Sequence, residues 1–89
     1  MDIEYSPAKD AINRQQHGVS LAFGVEPFAD PAHLVIPSFR EIDGEERFKV
    51  VGMVGDRLWT AVFVMRGDAR RFISVRKSNV KETREYHSD

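Results

Sequence analysis

Arginine and lysine side chains that could bind phosphate are concentrated toward the carboxyl end of the chain. Residues 61–78, AVFVMRGDARRFISVRKS, form two apolar runs around a glycine turn, and the second run ends in Arg76 and Lys77. Residues 65–85 include seven basic and three acidic side chains, although the whole chain has a formal net charge of −1. A guanidinium stays charged and can bind two phosphoryl oxygens, so this basic end predicts a phosphate-bearing partner. The alternative is a solvated surface, since blocks of like charge are common there.

Length and composition restrict the class of protein. With 89 residues, 42% of them hydrophobic, the chain is expected to form a single domain, residues 1–89, around one modest core. It has no cysteine, and its three histidines lack metal-ligand spacing, so we expect no disulfide, metal or cofactor. The polar, acidic N-terminus and the absence of a long apolar run predict a soluble cytoplasmic protein without membrane contact.

Helix signals occupy the first third of the chain. After a short extended segment at residues 3–5, Ser6 is a candidate N-cap and Pro7 suits the first helical position. Gly18 is a stop signal, so the sequence predicts a helix over residues 7–17.

A second helix is predicted to follow, with Ser20 as its N-cap. The apolar side chains recur with helical spacing at Leu21, Ala22, Val25 and Phe28. Because proline removes a backbone hydrogen bond, Pro27 predicts a kink or an end near Glu26.

The pattern then changes to that of β-strands. Residues 34–36 are predicted to form a sheet edge, because the following Pro37 cannot donate a ladder hydrogen bond. Turn residues Asp43-Gly44 precede three strands expected in consecutive hairpins, at residues 47–54, 58–66 and 71–77.

The register of the last hairpin decides which side chains share a face. We expect Arg66 to pair with Arg70, because this pairing places Arg66 and Arg76 together and leaves a clean apolar face under the helices. The apolar face would then contain Ala61, Phe63, Met65, Ile73 and Val75, with Phe63 and Ile73 in the core, and the other face Val62, Val64, Arg66, Phe72, Ser74 and Arg76. The alternative, pairing Arg66 with Arg71, would put Arg76 on the opposite face from Arg66.

The chain is predicted to end in a short helix. Asn79 and Glu82 have the spacing of a capping box, and the helix should run to about His87. Its apolar side chains are only Val80 and Tyr86, so it should be lightly docked or held by other contacts. The predicted fold class is α+β, in the order β-α-α-β-β-β-β-α. Its curved, mostly antiparallel sheet has two helices on one face.

Several short motifs occur together in a characteristic order. They are HGVS at residues 17–20, GEERF at 44–48, Arg66-Gly67, RRFISVRK at 70–77 and the spaced pair Glu82 and Tyr86. In this ordered set the sequence resembles the BrnT family, the toxins of bacterial type II toxin–antitoxin pairs. The resemblance implies a RelE-like ribonuclease fold and RNA cleavage that inhibits translation. It also implies a hetero-oligomer with a neutralising BrnA-type antitoxin, whose ribbon-helix-helix part binds DNA and represses the operon.

The implied activity assigns candidate roles to individual residues. Metal-independent cleavage through the ribose 2′-oxygen needs a base, an acid and cations that stabilise charge at phosphorus. Arg66 and Arg76 are the candidate cations. Candidates for proton transfer are His17, Glu82 and Tyr86, and candidates for RNA binding are Lys9, Arg71, Lys77 and Lys81.

Each candidate also has a structural interpretation. The arginines and Lys9 could be exposed surface, and His17 could interact with the C-terminal end of its helix. Glu82 could be a helix cap, and Tyr86 could attach the last helix to the sheet. Val64 stands where the family usually has a threonine. An alternative function is therefore a weak or inactive relative that binds the antitoxin and serves operon regulation.

Overall fold

Five strands form one mixed sheet in the computed structural model, which describes residues 1–40 and 45–88. The strands are β1 (Ile3–Glu4), β2 (Leu34–Arg40), β3 (Glu45–Val54), β4 (Arg57–Arg66) and β5 (Ala69–Lys77), and the spatial order is β1-β5-β4-β3-β2. The helices are α1 (Pro7–His17), a 3₁₀ helix (Leu21–Ala29) and α2 (Val80–His87). β1 is parallel to β5, and the other neighbouring strands are antiparallel. The predicted α+β class is confirmed, and the predicted turn at Asp43-Gly44 lies outside the described residues.

Local signals determine where α1 begins and ends. The Ser6 hydroxyl accepts a hydrogen bond from the Lys9 amide, Pro7 is at the start of the helix, and Gly18 adopts a left-handed conformation with φ of 77°. The helix therefore has the predicted bounds. Within residues 1–40 and 45–88, no helix has the length and apolar character needed to cross a bilayer.

The second helix differs from the prediction in type and length. It is a 3₁₀ helix that continues through Pro27 to Ala29, so the expected end near Glu26 is wrong. Two glycines allow this segment to lie very close to the sheet. A Cβ atom on Gly24 would lie 2.8 Å from the Phe72 ring, and one on Gly52 would collide with the Pro27 carbonyl oxygen. Contact with the sheet thus overrides the local effect of the proline.

The β4–β5 hairpin also differs from the prediction. Its turn has two residues, and Arg66 pairs with Ala69 rather than with Arg70. A bulge then leaves Ile73 without a partner in β4 and shifts the register, so that Thr60 pairs with Arg76. Arg66 and Arg76 consequently share a face, as expected, although the predicted register is wrong.

The bulge decides which side chains enter the core. Phe72, expected beside Arg76, instead pairs with Phe63 and is 1% exposed, whereas Ile73 is only half-buried. The buried core under the 3₁₀ helix consists of Leu21, Val50, Ala61, Phe63, Phe72 and Val75. Phe63 is therefore a core residue as predicted, and Phe72 occupies the place expected for Ile73.

Truncating Phe63 should destabilise the protein strongly. This ring packs against three other phenylalanine rings, so Phe63→Ala should lower the free energy of unfolding by about 3–5 kcal/mol. Urea denaturation followed by circular dichroism measures this change. Met65→Ala is the matched control, because Met65, expected on the covered face, is 43% exposed and should change stability little. Equal losses in the two variants would contradict the assignment of the core.

Candidate functional site

A buried carboxylate joins α2 to three strands on the face opposite the core. Glu82 has no exposed surface and receives two hydrogen bonds from the Arg76 guanidinium, at 2.7 and 2.8 Å. It also accepts hydrogen bonds from the Thr60 hydroxyl at 2.9 Å, the Lys49 ammonium at 3.2 Å and the Asn79 amide at 3.0 Å. Asn79 accepts a hydrogen bond from the Glu82 amide in return, so the predicted capping box is confirmed.

The surroundings of Glu82 stabilise its charged form. Burial by itself raises the pKa of this carboxyl, but the hydrogen bonds from Arg76, Asn79, Thr60 and Lys49 outweigh burial and lower the pKa to about 2. The same pairing raises the pKa of Arg76. A carboxylate with so low a pKa accepts protons poorly near neutral pH. The geometry thus favours Glu82 as the group that orients Arg76, whereas its predicted part in proton transfer stays a prediction.

Arg76 also lines a cleft between α1 and β5. This cleft of about 240 Å³, called here the His17 cleft, is lined by Gln16, His17, Arg76 and Lys77. A neighbouring cleft of about 220 Å³, the Ile12 cleft, is lined by Lys9, Ile12, Asn13, Gln16, Ile73 and Ser74. Since Gln16 lines both, the two clefts are neighbours along α1 and β5, and together they are called here the α1–β5 groove.

Asn13 fixes α1 against the edge of β5. Its amide nitrogen donates hydrogen bonds to the carbonyl oxygens of Val19 and Val75, both at 2.9 Å, and its amide oxygen accepts one from the Val75 amide at 3.0 Å. The side chain therefore pairs with both backbone groups of Val75, as a neighbouring strand would. This anchor brings the polar face of α1 alongside Arg76 and Lys77.

The groove is basic along its length. Four of the predicted site residues line it, namely Lys9, His17, Arg76 and Lys77, and no Asp or Glu among the described residues does so. Because Glu82 has two cationic partners, Arg76 and Lys49, their cluster retains a net positive charge. The groove can therefore attract a polyanion and place an imidazole beside a guanidinium.

Two of the remaining candidate cations lie outside the groove, in ion pairs. Arg66 pairs with Glu45, and Arg71 pairs with Glu4 at 3.2 Å. Arg66 is six residues along β4 from Thr60, the partner of Arg76, which separates the two arginines by roughly 20 Å at the rise of a β-strand. The shared face therefore does not place Arg66 and Arg76 side by side, and a joint cationic role for them stays a prediction.

Two further predicted residues on α2, Lys81 and Tyr86, also line neither cleft of the groove. Lys81 is exposed on this helix. The Tyr86 hydroxyl donates a hydrogen bond to Asp30 at 2.5 Å, and Asp30 also accepts one from the Met53 amide at 2.7 Å. The bond between them raises the pKa of Tyr86 and lowers the pKa of Asp30. Tyr86 thus attaches α2 to Asp30 at the end of the 3₁₀ helix, whereas its structural interpretation predicted attachment to the sheet.

The sequence reasoning missed three residues that build the site, namely Asn13, Lys49 and Thr60. A signal existed for two of them, because Lys49 and Thr60 are polar positions within otherwise apolar strands and alternate onto the face of Arg76. No local signal marked Asn13, whose role depends on its distant partner Val75. In the part of the chain that the structure describes, no three His, Cys, Asp or Glu residues are grouped so as to hold a metal ion.

A comparison with protein-family models matches residues 5–82 to the model described as "Ribonuclease toxin, BrnT, of type II toxin-antitoxin system". The chain belongs to the BrnT family. A BrnT toxin is a ribonuclease with an RNA target and an antitoxin partner, which accounts for a basic groove on a protein of negative net charge. A comparison with curated proteins finds no match.

Acid should destabilise this BrnT-family fold through Glu82. Because the pKa in the folded protein, about 2, is below the ordinary value of 4.5, the carboxylate stabilises the fold above about pH 4.5. This contribution, about 3 kcal/mol, is lost as the pH falls from about 4.5 to 2. Glu82→Gln should therefore be less stable than wild type at pH 7, and the difference should shrink in acid.

Urea denaturation at pH 7, 5 and 3 tests this linkage. Glu26→Gln, at an exposed glutamate of the 3₁₀ helix, is the control and should follow the wild-type pH profile. A constant difference between wild type and Glu82→Gln across these pH values would contradict the linkage.

Proposed function

We propose that this BrnT-family toxin cleaves RNA in the α1–β5 groove without a metal ion and so stops translation in the cytoplasm. Residues 1–89 would form one domain of RelE-like ribonuclease architecture. The observation that carries the proposal is the His17 cleft, in which a histidine, an arginine and a lysine line one space. These are the group types that cleavage by the ribose 2′-oxygen requires.

The reaction assigns a separate task to each side chain. The 2′-oxygen attacks the adjacent phosphorus, His17 accepts the 2′ proton, and the bond to the 5′-oxygen breaks. The products are a 2′,3′-cyclic phosphate and a 5′-hydroxyl, which receives a proton from the imidazolium or from water. Arg76 and Lys77 stabilise the charge on the phosphoryl oxygens.

Glu82 supports this role of Arg76 by holding its guanidinium in place. Two hydrogen bonds to a buried carboxylate restrict the guanidinium to one orientation before substrate binds. Such preorganisation reduces the reorganisation needed as charge develops at phosphorus. The proposal therefore gives the cationic role to Arg76 and Lys77, and none to the distant Arg66.

Variants at His17 and Lys77, compared with a variant at Arg66, distinguish a reaction site in the groove from a reaction site at Arg66. In buffer with EDTA, His17→Ala should lower the cleavage rate about 10²- to 10⁴-fold, and Lys77→Ala should lower it at least about ten-fold. Arg66→Ala is the matched control and should retain activity. Arg76→Ala is unsuitable, because it removes the main partner of a buried carboxylate and should destabilise the fold.

Single-turnover cleavage of a labelled RNA measures these rates, and thermal melts confirm that each variant is folded. Loss of activity in Arg66→Ala but not in His17→Ala would place the site at the other end of β4. Cleavage that is absent in EDTA and restored by Mg²⁺ would contradict metal independence. No cleavage by wild type, together with tight antitoxin binding, would favour a purely regulatory partner.

We also propose that the partner is a BrnA-type antitoxin with a ribbon-helix-helix DNA-binding part, and that it neutralises the toxin by covering the groove. Charge complementarity supports this arrangement, since an acidic or amphipathic segment would be attracted to Lys9, Arg76 and Lys77. RNA and antitoxin would then compete for one surface. The resulting hetero-oligomer would bind its operator through the antitoxin.

Reversing one charge in the groove should weaken neutralisation. Lys77→Glu should lower antitoxin affinity at least about ten-fold at low salt, and by less at high salt, because exposed charges are screened over about 8 Å at physiological ionic strength. Lys81→Glu, on the exposed side of α2, is the matched control. Calorimetric titration with the product of an adjacent antitoxin gene at two salt concentrations measures the effect. Equal affinity of wild type and Lys77→Glu would place the antitoxin elsewhere.

A further inference from the structure

The two clefts of the groove differ in chemistry. The His17 cleft is lined by polar and basic side chains, whereas the Ile12 cleft combines two isoleucines with two amides, a hydroxyl and a lysine. Ile12 is 53% exposed, and the bulge turns Ile73 away from the core toward α1. An apolar surface with a few polar groups around it is typical of a small-molecule or nucleobase site.

Cations lie at both ends of this apolar surface. Lys9, Ile12 and Gln16 occupy one side of α1, at successive turns spanning about 10 Å. Lys9 is at one end, and Arg76 and Lys77 of the His17 cleft are beyond Gln16 at the other. A nucleotide within an RNA chain has one phosphate on the 5′ side and one on the 3′ side of its ribose. This order of charges therefore fits an RNA strand lying along the groove.

Gln16 is the side chain placed to recognise the base. Its amide has no hydrogen bond to any residue that the structure describes, whereas the neighbouring amide of Asn13 is occupied by Val19 and Val75. A free amide offers one donor and one acceptor group side by side. This pattern complements N6 and N7 of adenine, the base that Asn and Gln commonly recognise.

We propose that the Ile12 cleft is a nucleobase subsite, in which Ile12 and Ile73 contact an adenine and Gln16 recognises its edge. Gln16 then determines the sequence preference of the nuclease, and Lys9 contacts the adjoining phosphate. The inference rests on the proposed function only in placing the scissile phosphate in the neighbouring His17 cleft. Recognition of the base itself requires no cleavage.

Binding of uncleavable oligonucleotides tests the subsite directly. Tetramers of A, C, G and U with 2′-O-methyl groups have no free 2′-oxygen to attack phosphorus, so fluorescence anisotropy measures binding alone. Wild type should bind the A tetramer at least about five-fold more tightly than the others. Gln16→Ala should bring all four affinities within about two-fold of one another.

Matched variants distinguish base recognition from charge or folding effects. Gln15→Ala removes an exposed amide that lines neither cleft and should keep the preference for adenine. Ile12→Ala should weaken all four tetramers several-fold, because base contact with the apolar surface is lost. Since Ile12 and Gln16 are exposed, the variants should retain the wild-type thermal melt.

Several outcomes would overturn the subsite. They are equal binding of the four tetramers by wild type, a preference for another base, or an unchanged preference in Gln16→Ala. If Ile12→Ala weakened only antitoxin binding, the cleft would belong to the protein partner. An adenine preference in a protein that cleaves no RNA would instead overturn the proposed reaction and leave the subsite standing.

Discussion

Hydrogen bonds to the buried carboxylate of Glu82 hold together the C-terminal part of the structure. A fully buried charge is tolerated because five hydrogen bonds satisfy it, from Arg76, Lys49, Thr60 and the Asn79 amide. Helix α2 has little apolar surface with which to dock, since Val80 is 68% exposed. A contact that holds this helix on the sheet thus also orients Arg76, and the stability of α2 and the geometry of the groove are linked.

The edge of β5 imposes the second constraint. β1 pairs with β5 only at Arg70 and Arg71, so the strand continues beyond its short neighbour toward Lys77. An unpaired edge carries backbone groups that need partners. Asn13 provides them for Val75 and thereby fixes the distance between α1 and β5. The groove is a consequence of protecting a sheet edge with a helix rather than with another strand.

Pairing with carboxylates distinguishes two arginines near the β4–β5 turn from two lysines of the groove. Arg66 and Arg71 are in ion pairs near the β4–β5 turn, where they neutralise Glu45 and Glu4. Lys9 and Lys77 form no ion pair within the described part of the chain, and both line the groove. The negative net charge of a ribonuclease toxin is therefore compatible with a local basic surface, because the acidic side chains lie elsewhere.

Features that depend on neighbouring residues could be predicted from the sequence. Caps placed the ends of α1 and the start of α2, and alternation of apolar side chains identified β3, β4 and β5. The ordered motifs indicated the family. These signals act within a few residues, where backbone propensity and capping hydrogen bonds contribute most to forming a helix or strand.

Features that depend on distant contacts followed from the packing of the folded chain. Gly24 and Gly52 allow the 3₁₀ helix to lie on the sheet, and the bulge at Ile73 exchanges this residue for Phe72 in the core. The sequence predicted His17 and Arg76 as site residues, but their meeting in one cleft depends on Asn13 and Glu82. These two side chains bind residues remote in the chain, Val75 and Thr60 respectively. Arg66 belonged to the same sequence pattern, yet six residues of β4 separate it from Thr60, the partner of Arg76, because a shared face specifies orientation and not distance.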